Sequence, residues 1–443
     1  MDDSALLVSL GFARPSAREA EESFRWTFPG VSAREGGRAR ACDERTTIGL
    51  MLGQALRRNA PCKDAVRRAQ LELGMDVSAS TAAFCKARAR VSPSTLEEMS
   101  ERLSAEADAL CGLDGFSGVW ALDGTTFQVA DTDENRGEWP YAAGPRPGCG
   151  FPVMGALVAH SLVGKGSSVL ATAPWKAHDF RLYVEASARF REGELQICDR
   201  AFCSFAAFAI LAEAGSDGIF RGRGWCRKER RDDVVLGPGD RLTKWPKRQA
   251  RRSTTVPRER LDGFPDEVTV RVITARIRVR GFRDEEIVLV TSLLDAEKYP
   301  KENVLEWYLR RWEIEVSFRD MKTTLRYEFI RGRTPRTVRL ELGILVLAYN
   351  LMRYVMARGH VTGRRSGIAS TAAAVMAFIA TVQTLYSAGR SLARAFSRLV
   401  AAVAADTPGR RRRKNYVRAV KRRPKPYPLL TKPRSEYRPE EIV

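Results

Sequence analysis

Histidine is scarce and cysteine is badly spaced for a metal site in this 443-residue chain. There are three histidines, and none of the eight cysteines forms a Cys-x-x-Cys pair, so the spacing argues against the usual zinc sites. We therefore expect reduced and mostly buried cysteines. The Gly-Lys-Gly-Ser-Ser run at 164–168 lacks the upstream glycine of a P-loop. It predicts a hairpin turn, and ATP use is not indicated.

A secretory signal and a long apolar run are also missing. The N-terminus begins Met-Asp-Asp and has no basic region before an apolar core, which indicates a cytoplasmic protein. The longest uncharged stretch, residues 367–389, is diluted by Ser, Thr, Gln and Tyr, so it favours a buried helix over a membrane span. We therefore expect no membrane partner.

Acidic residues are in deficit. The chain has 74 Lys and Arg against 53 Asp and Glu, a formal charge of +21 that exceeds what solubility needs. This excess indicates a polyanionic partner, with nucleic acid as the first candidate and an acidic membrane surface as the second. Residues 410–425 contain ten basic residues and no acidic one, which is typical of a disordered arm that binds phosphates nonspecifically.

Helical patterns dominate residues 1–115, with the clearest ones at 48–58, 63–73 and 94–110. Within this region, residues 65–73, a turn at 74–80 and a helix from Thr81 could form a helix-turn-helix. A basic helical bundle accounts for the same pattern equally well. The second helix carries three cations, Lys86, Arg88 and Arg90.

From Gly118 the pattern changes to short apolar runs that predict strands, and helical stretches at 180–190 and 205–214 accompany them. The order indicates an α/β fold with a mixed sheet. Residues 221–286 are rich in Arg and Lys, alternate at 268–278, and predict a basic β insertion. A strand, a long helix from about Lys301 and further helices to about Ala405 follow. The predicted core strands lie at 119–122, 127–130, 153–162, 169–173, 195–198 and 287–291.

Two aspartates follow predicted core strands. Asp123 closes the run 119–122 before a Gly-Thr-Thr turn, and Asp199 closes the run 195–198. Taken singly, each is typical of a turn or helix-cap aspartate. Because both acids leave core strands at one edge of the predicted sheet, they could converge on one site.

The long helix carries a polar stripe. On an ideal helix Tyr308, Arg311, Glu315 and Lys322 fall within an arc of about 60°. An apolar stripe runs beside this arc, so the helix can pack on the sheet and still present Glu315. A solvated charged face would show the same stripe. However, one acid between two cations and a tyrosine suits phosphate contacts on either side of a metal site.

These residues resemble a known set of motifs. Asp123-Gly-Thr, Asp199-Arg-Ala-Phe and Tyr308-x2-Arg-x3-Glu-x6-Lys322 resemble, in order and spacing, the signature boxes of the insertion-sequence-four family of bacterial DDE transposases. The resemblance covers about 118–345, while the N-terminal region matches in character only. It implies an RNase H-like catalytic core that a β-stranded insertion interrupts before the final helix.

The resulting domain prediction has five parts. Residues 1–115 form a helical DNA-binding region, and 116–220 form the first part of the catalytic core. Residues 221–286 form the insertion, and 287–345 complete the core with the helix of Glu315. Residues 346–443 form a helical C-terminal region with the basic tail.

The resemblance also implies roles for individual residues. Asp123, Asp199 and Glu315 would be catalytic and would bind two Mg²⁺ ions, with Mn²⁺ as a substitute. Tyr308, Arg311 and Lys322 would hold the terminal phosphates of the element end, and Arg200 and Trp245 are further candidate DNA contacts. Relatives can cut the second strand through a DNA hairpin that flips a base onto an aromatic residue. Trp225 and Trp245 are candidates for that step, which we leave open.

The implied function is cut-and-paste transposition. It comprises metal-dependent cleavage at the ends of an insertion sequence and strand transfer into target DNA. The partners are double-stranded DNA, both the terminal inverted repeats and the target, and a second copy of the chain bound with it as a dimer. The location is cytoplasmic and nucleoid-associated in a bacterium. Two alternatives remain: a catalytically inactive or domesticated DNA-binding relative, and a structure-selective nuclease.

Overall fold

The protein is described here by a computed structural model. It covers residues 43–71, 80–112, 115–142, 150–250, 255–277, 285–362, 367–387 and 392–406, together with Lys432 and Glu436. Residues 1–42, most of the predicted turn at 74–80 and the basic segment 410–425 lie outside the described residues.

Within the described residues 43–112, four helices precede the sheet, and the three that the sequence predicts are confirmed within a few residues. The first begins after Asp43, whose carboxylate caps it by accepting a hydrogen bond from the Thr46 amide at 2.7 Å. Lys86 and Arg90 are exposed, whereas Arg88 pairs with Glu341 at 2.6 Å and packs against the C-terminal helices. Arg88 therefore serves packing, and the helix-turn-helix stays a prediction. The helices are α1 Glu44–Leu56, α2 Cys62–Leu71, α3 Ala82–Arg88 and α4 Pro93–Cys111.

A mixed ten-stranded sheet forms the centre of the molecule, and it confirms the predicted α/β class. Its order is β3-β2-β1-β4-β5-β9-β8-β7-β6, and β10 pairs with β1. β1 is antiparallel to β2 and parallel to β4, which is parallel to β5. The strands are β1 Gly118–Val129, β2 Val153–Ser161, β3 Ser167–Pro174, β4 Glu194–Cys198, β5 Asp217–Arg221, β6 Val234–Gly237, β7 Asp240–Pro246, β8 Glu267–Ile277, β9 Glu285–Thr291 and β10 Phe329–Ile330.

One strand prediction is wrong. The sequence predicts two runs separated by a turn after Asp123, but β1 is a single strand of 12 residues. The reason is its partner: β2 pairs along β1 without a break from Trp120–Ser161 to Gln128–Val153. Backbone hydrogen bonds to β2 hold Gly124 and the two threonines after it in extended conformation, although their local sequence favours a turn. The hairpin predicted at 164–168 does join β2 to β3.

The insertion extends the sheet of the core. β9 pairs antiparallel with β5, and β8, β7 and β6 follow outward in turn. A buried ion pair fixes the middle of the insertion: Arg271 donates two hydrogen bonds to Asp240, at 2.8 and 2.5 Å. The alternating run predicted at 268–278 corresponds to β8.

Helices cover both faces of the sheet. Ala121 and Ile197 face one side with Ile314, whereas Leu122 and Cys198 face the opposite side. This alternation directs every second residue of β1 and β4 toward the helix that carries Glu315. The helices are α5 Asp133–Glu138, α6 Asp179–Ala186, α7 Phe205–Ala214, α8 Arg258–Gly263, α9 Lys301–Leu309, α10 Glu313–Arg319, α11 Pro335–Arg358, α12 Ile368–Ser387 and α13 Leu392–Ala405.

The long helix α11 belongs to the core. It is long and apolar enough to cross a membrane by length and composition, but 94% of its apolar stretch is buried inside the protein. A capping box at Thr334 and Thr337 starts it. The helix predicted in the uncharged stretch 367–389 is confirmed as α12, and Val375 and Phe378 pack it against the other helices.

Candidate active site

Strand register brings Asp123 and Asp199 together. β1 and β4 pair in parallel from Gly118–Glu194 to Leu122–Cys198, and there the pairing stops. The next residue on each strand is an aspartate, so the two carboxylates lie side by side at the edge where β4 ends. The Asp123 carboxylate accepts a hydrogen bond from the Gly124 amide at 2.9 Å. The Asp199 carboxylate accepts one from the Ala201 amide at 2.7 Å, which fixes the loop after β4.

Arg311 joins Asp123 to Glu315. Its guanidinium lies 3.5 Å from the Asp123 carboxylate and 3.1 Å from the Glu315 carboxylate. Asp123 and Arg311 are mostly buried, whereas the Glu315 side chain is 62% exposed. The two strand-borne acids and the helix-borne acid therefore lie in one region, and a cation occupies the space between two of them.

The helical segment around Glu315 is less regular than the sequence predicts. A 3₁₀ turn at Arg310–Trp312 separates α9 from α10, and a π turn at Asp320–Thr324 ends the segment. Each change of pitch rotates later residues away from their ideal positions. Arg311 and Lys322 nevertheless contact β1, whereas the Glu315 side chain is largely exposed.

Tyr308, the first residue of the predicted stripe, lies inside the core. Its side chain is buried with Val304 and Ile314. Burial raises the pKa of its hydroxyl, and the neighbouring Arg311 and Arg221 act in the opposite direction. Only the hydroxyl end of Tyr308 is therefore directed toward the charged site.

Lys322 reaches the strand that carries Asp123. Its ammonium donates to the Thr125 hydroxyl at 2.5 Å and lies 5.0 Å above the centre of the Phe127 ring. Thr125 is two residues after Asp123, so both side chains are on the same face of β1. Lys322 and Arg311 therefore both reach the face of β1 that carries Asp123.

Asp179 is a fourth carboxylate that the sequence does not predict. It begins α6, and an added Cβ on Gly124 would overlap its carboxylate. Asp179 therefore lies directly over the backbone that follows Asp123. Its position follows from the return of the chain across the β2–β3 hairpin, and no residue spacing signals it. The glycine after Asp123 is the one local clue, because it leaves the space.

The acids act on one another electrostatically. Burial raises the pKa of Asp123 to about 6; Arg311 counteracts this effect, while Asp199 and Asp179 add to it. The pKa of Asp179 is also raised, chiefly by burial. A carboxylate whose neighbours oppose its ionisation is a place where a bound cation would relieve repulsion.

Trp245 does not line the site, and its predicted contact with DNA is corrected. Its ring is 1% exposed and packs edge-on against Phe208 at 5.6 Å. The sequence around Trp245 is basic and shows no regular alternation, so the orientation of this tryptophan toward the core could not be predicted from it. Trp225 covers it at 4.9 Å and is 46% exposed, so Trp225 keeps an accessible face. Arg200 is exposed immediately after Asp199.

The donor atoms fit a hard divalent cation, since carboxylate oxygens are what Mg²⁺ and Mn²⁺ prefer. Among the residues that the structure describes, no three acidic, histidine or cysteine side chains lie close enough to hold an ion as they stand. Arg311 holds Glu315 through a hydrogen bond at 3.1 Å.

Comparisons with known proteins identify the family of the chain. The family model described as a transposase DDE domain matches residues 114–351. The chain is also 25% identical over 417 residues to the transposase InsG for insertion sequence element IS4 of Escherichia coli strain K12, covering 87% of this chain and 86% of that protein. A solved piggyBac transposase synaptic complex with hairpin DNA shares 10% identity at a TM-score of 0.37, covering 91% of this chain and 77% of that one. Since the family model spans more than half of the sequence, the chain belongs to the transposase DDE-domain family, and it is a DNA transposase.

Proposed function

We propose that Asp123, Asp199 and Glu315 form the catalytic centre of this transposase. The observation that carries the proposal is the end of the β1–β4 pairing at Leu122–Cys198, because the residue after this pair is an aspartate in both segments. Arg311 adds support, because it bridges Asp123 to Glu315 across the gap between sheet and helix.

Two Mg²⁺ ions are the expected cofactors, and Mn²⁺ is a suitable substitute. Bound there, they would activate a water or a DNA 3′-hydroxyl and stabilise the leaving oxygen. Asp123 has a fixed orientation through the Gly124 amide, and Asp199 through the Ala201 amide. Glu315 has no such backbone contact among its described interactions. It is therefore the ligand that adjusts when the site fills.

Arg311, Lys322 and the Tyr308 hydroxyl are proposed to contact the terminal phosphates of the element end. Arg311 and Lys322 lie on either side of Glu315 and reach the face of β1 that carries Asp123. A phosphate held between these two cations would lie beside the acids. The substrates are then the terminal inverted repeats and a target duplex, bound by a dimer that pairs two ends. A cytoplasmic, nucleoid-associated location remains a prediction.

The test compares two glutamate-to-glutamine changes on the same helical segment. Glu315→Gln removes a proposed metal ligand, whereas Glu306→Gln changes an exposed residue of α9 outside the site. Loss of even an outer-shell partner typically costs 10–100-fold, so we expect cleavage of a labelled element end to fall by at least about 100-fold for Glu315→Gln. Glu306→Gln should cleave like the unchanged protein. Normal cleavage by Glu315→Gln in Mg²⁺ would refute the assignment.

Strand transfer separates this function from the two alternatives. A precleaved end with a free 3′-hydroxyl should be joined to target DNA by the unchanged protein. An inactive DNA-binding relative would bind the end and join nothing. A structure-selective nuclease would cut DNA without joining it.

A further inference from the structure

A cavity of about 560 Å³ opens beside Asp199, between the loop after β4 and the start of the insertion. It lies on the side of Asp199 that faces the insertion, and Asp199 itself forms part of its wall. Gly222 and Gly224 also line it. Its charged lining residues are Asp199, Arg200, Arg221, Arg223, Arg227 and Glu286.

The lining is basic, with four arginines against two acids. Arg223 donates hydrogen bonds to the carbonyls of Arg200 and Ala201, both at 3.2 Å, so it ties the insertion to the loop of Asp199. Arg227 pairs with Glu286 at 3.4 Å, and both side chains are about half exposed. Arg227 also donates a hydrogen bond to the Glu286 carbonyl at 3.1 Å, while the half-exposed ion pair between the side chains is weak enough to open when an anion enters.

Arg221 links the cavity to Tyr308 on the helical segment that carries Glu315. Arg221 lines the cavity and lies close enough to Tyr308 to counteract the rise in the pKa of its hydroxyl. Gly224 follows Arg223, and a side chain there would extend into open space, so its absence leaves room for a bulky backbone beside the lining. When the reacting phosphate of a nucleic-acid strand lies at Asp199, the adjoining nucleotides of that strand are therefore next to this positively charged cavity.

We propose that this cavity binds the phosphodiester backbone of the DNA strand adjoining the reacting phosphate, through Arg200, Arg221 and Arg227. Arg223 acts as a positioning residue that holds the Asp199 loop against the cavity. Glu286 opposes the bound phosphate and keeps Arg227 in place when the cavity is empty of DNA. The inference rests on the proposed function, since it takes Asp199 as part of the catalytic centre.

The test measures binding of a fluorescent element-end duplex without metal, over a range of salt concentrations. Each lost phosphate contact reduces the slope of log affinity against log salt by about 0.9. We expect Arg227→Gln to weaken binding and to reduce the slope by about one contact. Glu286→Gln should strengthen binding, because it removes a negative charge beside the same phosphate. Arg258→Gln removes an exposed arginine of the insertion outside the cavity and should leave the slope unchanged.

The opposite signs expected for the neighbours Arg227 and Glu286 make misfolding an inadequate explanation of the result. Methylphosphonate at the phosphates next to the cleavage site should weaken binding by the unchanged protein. The same DNA should cause little further loss with Arg227→Gln, because the partner is already missing. Additive losses, or weaker binding by Glu286→Gln, would overturn the proposal.

Two DNA sources share this chemistry, and separate arms of the experiment distinguish them. One arm uses element ends that continue past the cleavage site, and the other uses precleaved ends that capture a target duplex. A loss confined to the first arm assigns the cavity to flanking DNA, and a loss confined to the second assigns it to target DNA. No loss in either arm refutes the site. Because binding is measured without metal, the result does not depend on whether Glu315→Gln abolishes cleavage.

Discussion

The metal-free protein should become more stable when Asp123 is replaced by asparagine. The Asp123 side chain is 23% exposed, and its pKa of about 6 compares with 3.8 in the unfolded chain. The folded state therefore binds this proton more tightly, and the associated stability is complete below pH 4 and lost as the pH rises through 6. About two pKa units correspond to about 3 kcal/mol of free energy of unfolding. Asparagine cannot ionise, so Asp123→Asn avoids this loss, and its oxygen can still accept from the Gly124 amide.

The assay is thermal unfolding of both proteins in a chelating buffer between pH 4 and pH 8. An unfolding entropy of about 2.1 cal/mol/K per residue gives about 1 °C per kcal/mol for 443 residues, so the variant should melt about 3 °C higher at pH 7.5. The difference should shrink toward zero near pH 4, where Asp123 is protonated in the unchanged protein. Added Mg²⁺ should then raise the melting temperature of the unchanged protein alone. A variant less stable at pH 7.5, or a difference that does not vary with pH, would refute the electrostatic reasoning.

Three further changes test other contacts. Gly124→Ala places a methyl group against the Asp179 carboxylate and should cost about 1–3 kcal/mol in urea unfolding, and adding Asp179→Ala should restore stability. Lys322→Ala should slow cleavage of an element end by misplacing its terminal phosphate, and unchanged cleavage kinetics would argue against that contact. Arg271→Met leaves the buried carboxylate of Asp240 unpaired and should cost about 3–5 kcal/mol, whereas replacing both residues by apolar ones should recover most of the loss in the same assay.

The polar stripe on the helical segment of Glu315 was predictable, because it depends only on the spacing of residues that are close in sequence. Residues three, four and seven apart on a helix share a face whatever the rest of the chain does, so the relation of Arg311 to Glu315 follows from spacing alone. The 3.1 Å contact between them is of this kind. The irregular turns at 310–312 and 320–324 were not predictable, because they depend on how the segment packs against the sheet.

The position of Asp123 shows the opposite case. The sequence predicted that Asp123 lies near Asp199, because two strands were expected to end at one edge of the sheet. The turn expected after Asp123 is wrong. The pairing of β1 with β2 overrides the turn preference of Gly-Thr-Thr, and the end of β4 creates the edge instead. Asp179 was missed, because its contact with Gly124 joins segments that only the completed sheet brings together.

The described contacts also explain why binding of cations and binding of DNA would each favour the other at this site. The charge of Asp199 opposes the ionisation of Asp123 and Asp179, Asp179 adds to this effect on Asp123, and Arg311 counteracts it for Asp123. A DNA phosphate that drew Arg311 away would leave Asp123 and Glu315 without their shared partner, at a cost that bound Mg²⁺ would offset. Conversely, cations at the carboxylates would free Arg311 for the phosphate. Under the proposed roles, each ligand removes the obstacle to the other, and by linkage each must raise the affinity of the other by the same factor.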